Sequence, residues 1–186
     1  MNMNIGDSKA LGFGVFATGV WLFSMYFAGL AVFPFAAELS TISMLLAIAL
    51  LVAGVAALLR KESWLGFFFI LWSAASFASH GAAASGWLWF ALALINFYLW
   101  LAAAKHGQET AVGLVVLLVA IDALGQGLSR VVGLDWAGFV GAWFGLAAAA
   151  AAYYVSAAVI VCPGGCNNLP LLRRREDPAQ SGSAQI

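Results

Sequence analysis

From Thr41 to Leu59 the chain reads "TISMLLAIALLVAGVAALL", an apolar stretch without a single charge and long enough to cross a bilayer as a helix. Comparable windows recur at 10–33, 40–59, 64–84, 86–104, 111–129 and 136–161, joined by short connections. Hydrocarbon offers no water to backbone N–H and C=O groups, so a spanning segment must be a helix or belong to a closed barrel. Barrel strands alternate polar and apolar residues over about ten positions, and these windows do not alternate. With 64% hydrophobic and only 9% charged residues, the 186-residue chain also lies far from soluble-domain usage. The sequence therefore predicts an all-α integral membrane protein, a six-transmembrane-helix bundle occupying residues 10–161.

Charge placement tests the count of six. With six spans, Lys9, Arg60, Lys61, Lys105, Arg173, Arg174 and Arg175 fall on one side, and only Arg130 of the eight basic residues falls on the other. Basic residues concentrate on the cytoplasmic side, so both termini are expected in the cytoplasm of a cell whose inner (plasma) membrane holds the chain as a multi-pass protein. The first apolar window is too long for a signal-peptide core and has no small-residue cleavage pattern after it, so it is read as a retained helix behind a short cytoplasmic segment, residues 1–9. Residues 162–186 are polar and are expected to form a disordered cytoplasmic tail. Within it, "CPGGC" holds Cys162 and Cys166. Two thiols without a nearby histidine make an incomplete zinc site, and the Pro-Gly pair is a helix terminator. The formal net charge of zero points away from nucleic acid.

Polar residues follow helix faces. Val115, Leu118, Asp122, Gln126 and Ser129 recur at spacings of 3, 4, 4 and 3, forming one stripe of the fifth helix. That stripe is aliphatic toward the cytoplasm and polar toward the outside, with Arg130 near the outer mouth. On the third helix, Trp72, Ser76, Ser79 and His80 share a face, with Ser73 alongside. A carboxylate in mid-membrane costs about 2.5–3.5 kcal/mol on insertion scales and faces a wet cavity or a partner. Two readings of Asp122 follow: a polar vestibule formed with Ser73, Ser76, Ser79, His80, Gln126 and Arg130, or interhelical glue bonded to Gln126 or to a neighbouring hydroxyl. In the sixth helix, Gly138, Gly141 and Gly145 sit 3 and 4 residues apart and allow close helix packing, within one protomer or between protomers.

No P-loop, GxSxG, HExxH or GxGxxG pattern occurs, and the two histidines, His80 and His106, are separated by a helix and make no obvious acid-base or metal site. The chain is read as a non-enzyme without cofactor or metal. A small passive or ion-coupled conduit is the function class left standing.

Several motifs carry a resemblance. "DSKALGFGVF" keeps Leu11, Gly12 and Phe16 of a Leu-Gly opening but lacks its prolines. "AGVAA" keeps Ala53 and Gly54 but has Ala57 in place of an acid, and "KESWL" replaces a following Gly-Asn-Thr-Phe-Gly. "WAGFVGAWFGLAAAAAAYYVSAAVI" and the closing "NLPLL" complete the set. In these features the chain, from about Asp7 to Leu172, resembles a divergent member of the succinate-acetate permease family of acetate uptake transporters. The resemblance implies hexamers in which each protomer carries its own path for small monocarboxylates. It also implies an apolar constriction of a helix 1 aromatic, a helix 3 aromatic and a helix 5 leucine. In this chain those are Phe16, Trp72, and Leu114 or Val115, with Leu118 one turn on.

The resemblance implies a membrane transporter or channel for small monocarboxylates such as acetate, with succinate a further candidate. Its partners would be the small carboxylate, protons, membrane lipid and copies of itself in a homo-oligomer. An apolar constriction disfavours a bare carboxylate, so passage as the protonated acid, or proton-coupled symport, is the physically easier route, and Asp122 could hold the proton. The family position matching Asp122 is normally apolar. The alternatives are a channel for small neutral solutes such as urea or amides, and a non-transporting membrane scaffold subunit.

Overall fold

A computed structural model describes residues 8–30, 36–80, 86–105 and 110–161, with side chains described for all of these but 36–40, 79 and 80. Most of the expected N-terminal segment, and the whole tail with Cys162 and Cys166, lie outside the described residues.

Six helices occupy the described chain: α1 (Ser8–Phe27), α2 (Ala36–Leu59), α3 (Ser63–His80), α4 (Gly86–Lys105), α5 (Thr110–Val132) and α6 (Asp135–Val161). All but α3 are long and apolar enough to cross a membrane, and α3 is a shorter apolar helix. The protein is a multi-pass membrane protein of six helices. The apolar window at 10–33 runs past the real end of α1. There Gly29 takes φ 67°, its N–H donates to the Tyr26 carbonyl at 3.1 Å, and the Leu30 N–H donates to the Met25 carbonyl at 3.0 Å. This left-handed cap closes the orphan carbonyls of the last turn, and apolarity alone gives no hint of it. At the end of α2, Lys61 fills the same left-handed position at φ 63°.

Neighbouring helices follow the order α4, α5, α6, α1, α2, α3. The two ends of this arc, α3 and α4, meet through side chains, with the Trp72 Nε1–H donating to Asn96 Oδ1 at 3.3 Å. α5 is the most enclosed span. Its small residues bring it against α6: a side chain on Gly125 would run into the Ala137 carbonyl oxygen and the Gly141 backbone. In lipid, where no hydrophobic drive separates helix faces from tails, such close backbone approach supplies the packing energy.

The core divides along the bundle axis. In one half, Phe13, Phe16, Phe68, Phe69, Val112, Val115, Val116, Val119 and Val155 are all fully buried, filling the space between the helices. In the other half, toward the α1 C-terminus and the α4 N-terminus, the helices leave a cavity.

Candidate functional site

The cavity is lined by stripes from five helices. α1 presents Phe16, Gly19, Val20 and Phe23. α2 presents Leu46 and Leu50, and α3 presents Trp72, Ala75 and Ser76. α4 adds Leu88, Trp89 and Leu92, and α5 adds Asp122 alone. The spacings of 3 and 4 within each set are those of one helix face. The cavity volume is about 50 Å³, room for a small solute and not for a large one.

Its closed end is aromatic. Phe16 meets Trp72 edge-on, with ring centroids 5.2 Å apart and planes at 73°, and meets Phe68 at 5.1 Å. Behind them Phe13 contacts Phe69 at 5.3 Å, and Trp64 stacks on Phe68 at 5.8 Å. Trp72 is held from α4: Asn96, 0% exposed, accepts its Nε1–H and donates its own Nδ2–H to the Leu92 carbonyl at 2.8 Å. Removing either partner alone orphans a buried polar group at about 1–3 kcal/mol, whereas removing both can be nearly neutral. Asn96→Leu and Trp72→Phe are therefore expected to be non-additive, with a coupling of about 1 kcal/mol in a double-mutant cycle of thermal stability. Additive losses would mean that the contact contributes nothing.

Asp122 is 8% exposed. Its Oδ1 accepts from Gln126 Nε2 at 3.3 Å, and the same Nε2 donates to the Gly138 carbonyl on α6 at 3.1 Å. The interhelical link is thus made by Gln126, while Asp122 bonds within its own helix and lines the cavity. Gly145 makes room for it: a Cβ there would lie 2.6 Å from Asp122 Oδ2 and closer still to Ser24 Oγ. Ser24 is 1% exposed and its hydroxyl has no hydrogen-bond partner among the described residues. Above this cluster the Arg130 guanidinium lies over the rings of Phe27 and Trp89, 5.1 and 5.5 Å from their centroids, a cation–π arrangement.

The fold is that of the bacterial acetate channel SatP. A solved structure of that channel superposes with a TM-score of 0.76 at 13% sequence identity, covering 86% of this chain and 94% of the other. No protein-family model matches the sequence, and no curated protein matches it either. The likeness to SatP is thus one of helix arrangement, held by packing and apolar pattern across a sequence that has largely changed.

Within this SatP-like bundle the sequence-derived candidates separate. Phe16, Trp72, Ser76 and Asp122 line the cavity. Leu114 does not: it is 40% exposed, turned about 100° from Val115 toward the outside of the bundle. Val115 is fully buried in the packed half, and Leu118 is half-buried against the same core. None of the three lines the cavity. Ser73 donates to the Ala47 carbonyl at 2.7 Å, which links α3 to α2. Gln126 stands behind Asp122, and the side chains of Ser79 and His80 lie outside the described residues. Gly138, Gly141 and Gly145 all turn toward α5 or α1, within the protomer. Sequence reasoning missed Phe23, Leu46, Leu50, Leu88, Trp89 and Leu92, because an apolar residue facing a cavity has the same composition as one facing lipid. Asn96 did carry a signal, as a lone amide in an apolar helix. Among the described residues no three His, Cys, Asp or Glu side chains gather as a metal site.

Proposed function

We propose that this chain is a conduit for small monocarboxylic acids such as acetate, seated in the cell's inner membrane with both termini in the cytoplasm. The observation that carries this reading is the small cavity closed by Phe16 and Trp72 inside a fold shared with a bacterial acetate channel. The substrate enters from the Arg130 end and meets the aromatic floor. Because apolar walls penalise a bare carboxylate, the acid crosses in its protonated form or together with a proton. Each protomer of a homo-oligomer, a hexamer on the family resemblance, holds its own path, and no catalysis is involved. Longer acids such as succinate would need the floor to yield.

Proteoliposome uptake of labelled acetate tests this. Carboxylic acids titrate near pH 4, so above that range each unit of acidification raises the neutral form about tenfold. Uptake in excess of protein-free vesicles is therefore expected to rise as pH falls from 8 to 5. A flat profile would overturn passage of the neutral form, and no protein-dependent uptake across several short-chain acids would overturn the function.

A second reading, a pore for small neutral solutes such as urea or amides, is favoured by one observation: the ionisable group that lines the cavity is an acid. A swelling assay with acetamide beside acetate separates the two. The scaffold reading is disfavoured by the cavity beside Asp122.

A further inference from the structure

Among the described residues, Asp122 is the one ionisable group in the cavity wall, and no basic residue lines it. Of the donors near it, the Trp72 indole N–H is committed to Asn96 and the Ser76 hydroxyl to the Trp72 carbonyl at 2.8 Å, which leaves the Ser24 hydroxyl and the Trp89 indole N–H, both uncharged, to oppose the charge of an acid. Arg130 lies eight residues along α5, about 12 Å at 1.5 Å per residue, over Phe27 and Trp89 and not beside the carboxyl. Among the described residues the neighbouring faces bring no charge: Ser24 from α1 and Gly141 and Gly145 from α6 lie near its side chain or backbone, and leucine or tryptophan side chains from α2, α3 and α4 line the cavity with it.

We propose that Asp122 is a selectivity residue that admits small neutral hydrogen-bond donors, the undissociated acid or a primary amide, and turns away carboxylate anions. Two like charges in a cavity of this size repel through a medium of low dielectric, whereas an acid O–H or amide N–H donates to the carboxyl. Two further groups lie near it. Ser24 Oγ, buried and without a partner among the described residues, faces Gly145 as Asp122 Oδ2 does, behind the cavity wall. Trp89 lines the cavity and has a buried indole N–H without a partner among the described residues, a donor for the ligand's carbonyl oxygen. Gln126 fixes the carboxyl by bonding both to it and to α6. This assignment rests on the reading of the cavity as the substrate's path.

The test is ligand-observed NMR on the purified full chain in detergent, with acetamide and acetate as probes at pH 8, where acetate is almost wholly the anion. Wild type is expected to bind acetamide at least tenfold more tightly than acetate. In Asp122→Asn, which keeps shape and hydrogen bonding but loses the charge, acetate binding rises at least tenfold and acetamide binding changes less than threefold. Asp122→Ser provides a second neutral variant should the first fail to fold. Equal acetate binding in wild type and the neutral variants overturns the assignment, as does acetamide failing to bind wild type. Proteoliposome flux of both probes is measured in parallel. Absence of flux with the binding pattern intact refutes the conduit while leaving the selectivity of the site standing.

Discussion

Replacing Gly141 or Gly125 by valine is expected to break the bundle apart at α5 and α6. A Cβ on Gly125 would sit 2.5 Å from the Ala137 carbonyl oxygen and 2.9 Å from Gly141 Cα. One on Gly141 would sit 2.9 Å from the Asp122 carbonyl oxygen and 3.1 Å from Gly125 Cα. These neighbours are backbone atoms, which cannot rotate away as a side-chain tip can, so the helices themselves must separate. Overpacking costs about 1–3 kcal/mol and occasionally more, the upper end applying where the struck atoms are backbone, and a domain of this size loses about 2–4 °C in melting midpoint per kcal/mol. A drop of about 10 °C in detergent is the expected result, together with displacement of Asp122, whose backbone is the surface being struck. Gly113 supplies the control. Its nearest neighbour would be Trp100 Cδ1 at 3.9 Å, ordinary contact. Gly113→Ala therefore removes only the helical penalty of glycine and is expected to stabilise by about 0.5–1 kcal/mol. If both substitutions shift the midpoint alike, close backbone approach is not what joins α5 to α6.

The same pair of helices shows what the sequence could and could not reveal. The spans were legible because lipid imposes one rule on all of them: about 20 apolar residues with every backbone group bonded internally. The stripe on α5 was legible for the same geometric reason, and Val115, Asp122 and Gln126 are all buried along it. What periodicity could not say is where along the stripe packing gives way to space. Val115 lies in the filled half and Asp122 in the open half because large rings on α1 and α3, Phe13, Phe68 and Phe69, occupy one level and not the other. A one-residue shift of register is enough to send a side chain outward, as Leu114 shows. Apolar cavity walls such as Leu46 and Leu88 were invisible because hydrocarbon and an apolar cavity wall select the same side chains. The end of α1 was missed because a left-handed glycine in an apolar context looks like more of the span.

If the chain is the acid conduit proposed above, Phe16→Ala is expected to change which acids are taken up without turning the bundle into an open pore. Phe16 is the first ring of the floor, but Phe13, Phe68, Phe69 and Trp64 lie behind it in mutual contact. Its removal therefore deepens the cavity by one ring and leaves the packed half closed, so no ion leak should appear. Acetate, which then no longer fills the site, is expected to be taken up more slowly. A four-carbon acid gains the space that the ring vacated. One methylene in an apolar pocket is worth about 1–3 kcal/mol of discrimination, so the ratio of butyrate to acetate uptake should rise by at least about tenfold. Truncation of a buried phenylalanine also costs about 3–5 kcal/mol of stability, and raw rates fall with the amount of folded protein. The ratio of two substrates measured in the same vesicles cancels that loss. A parallel fall of both acids, with the ratio unmoved, would mean that Phe16 only packs the core and that the floor limiting the substrate lies elsewhere.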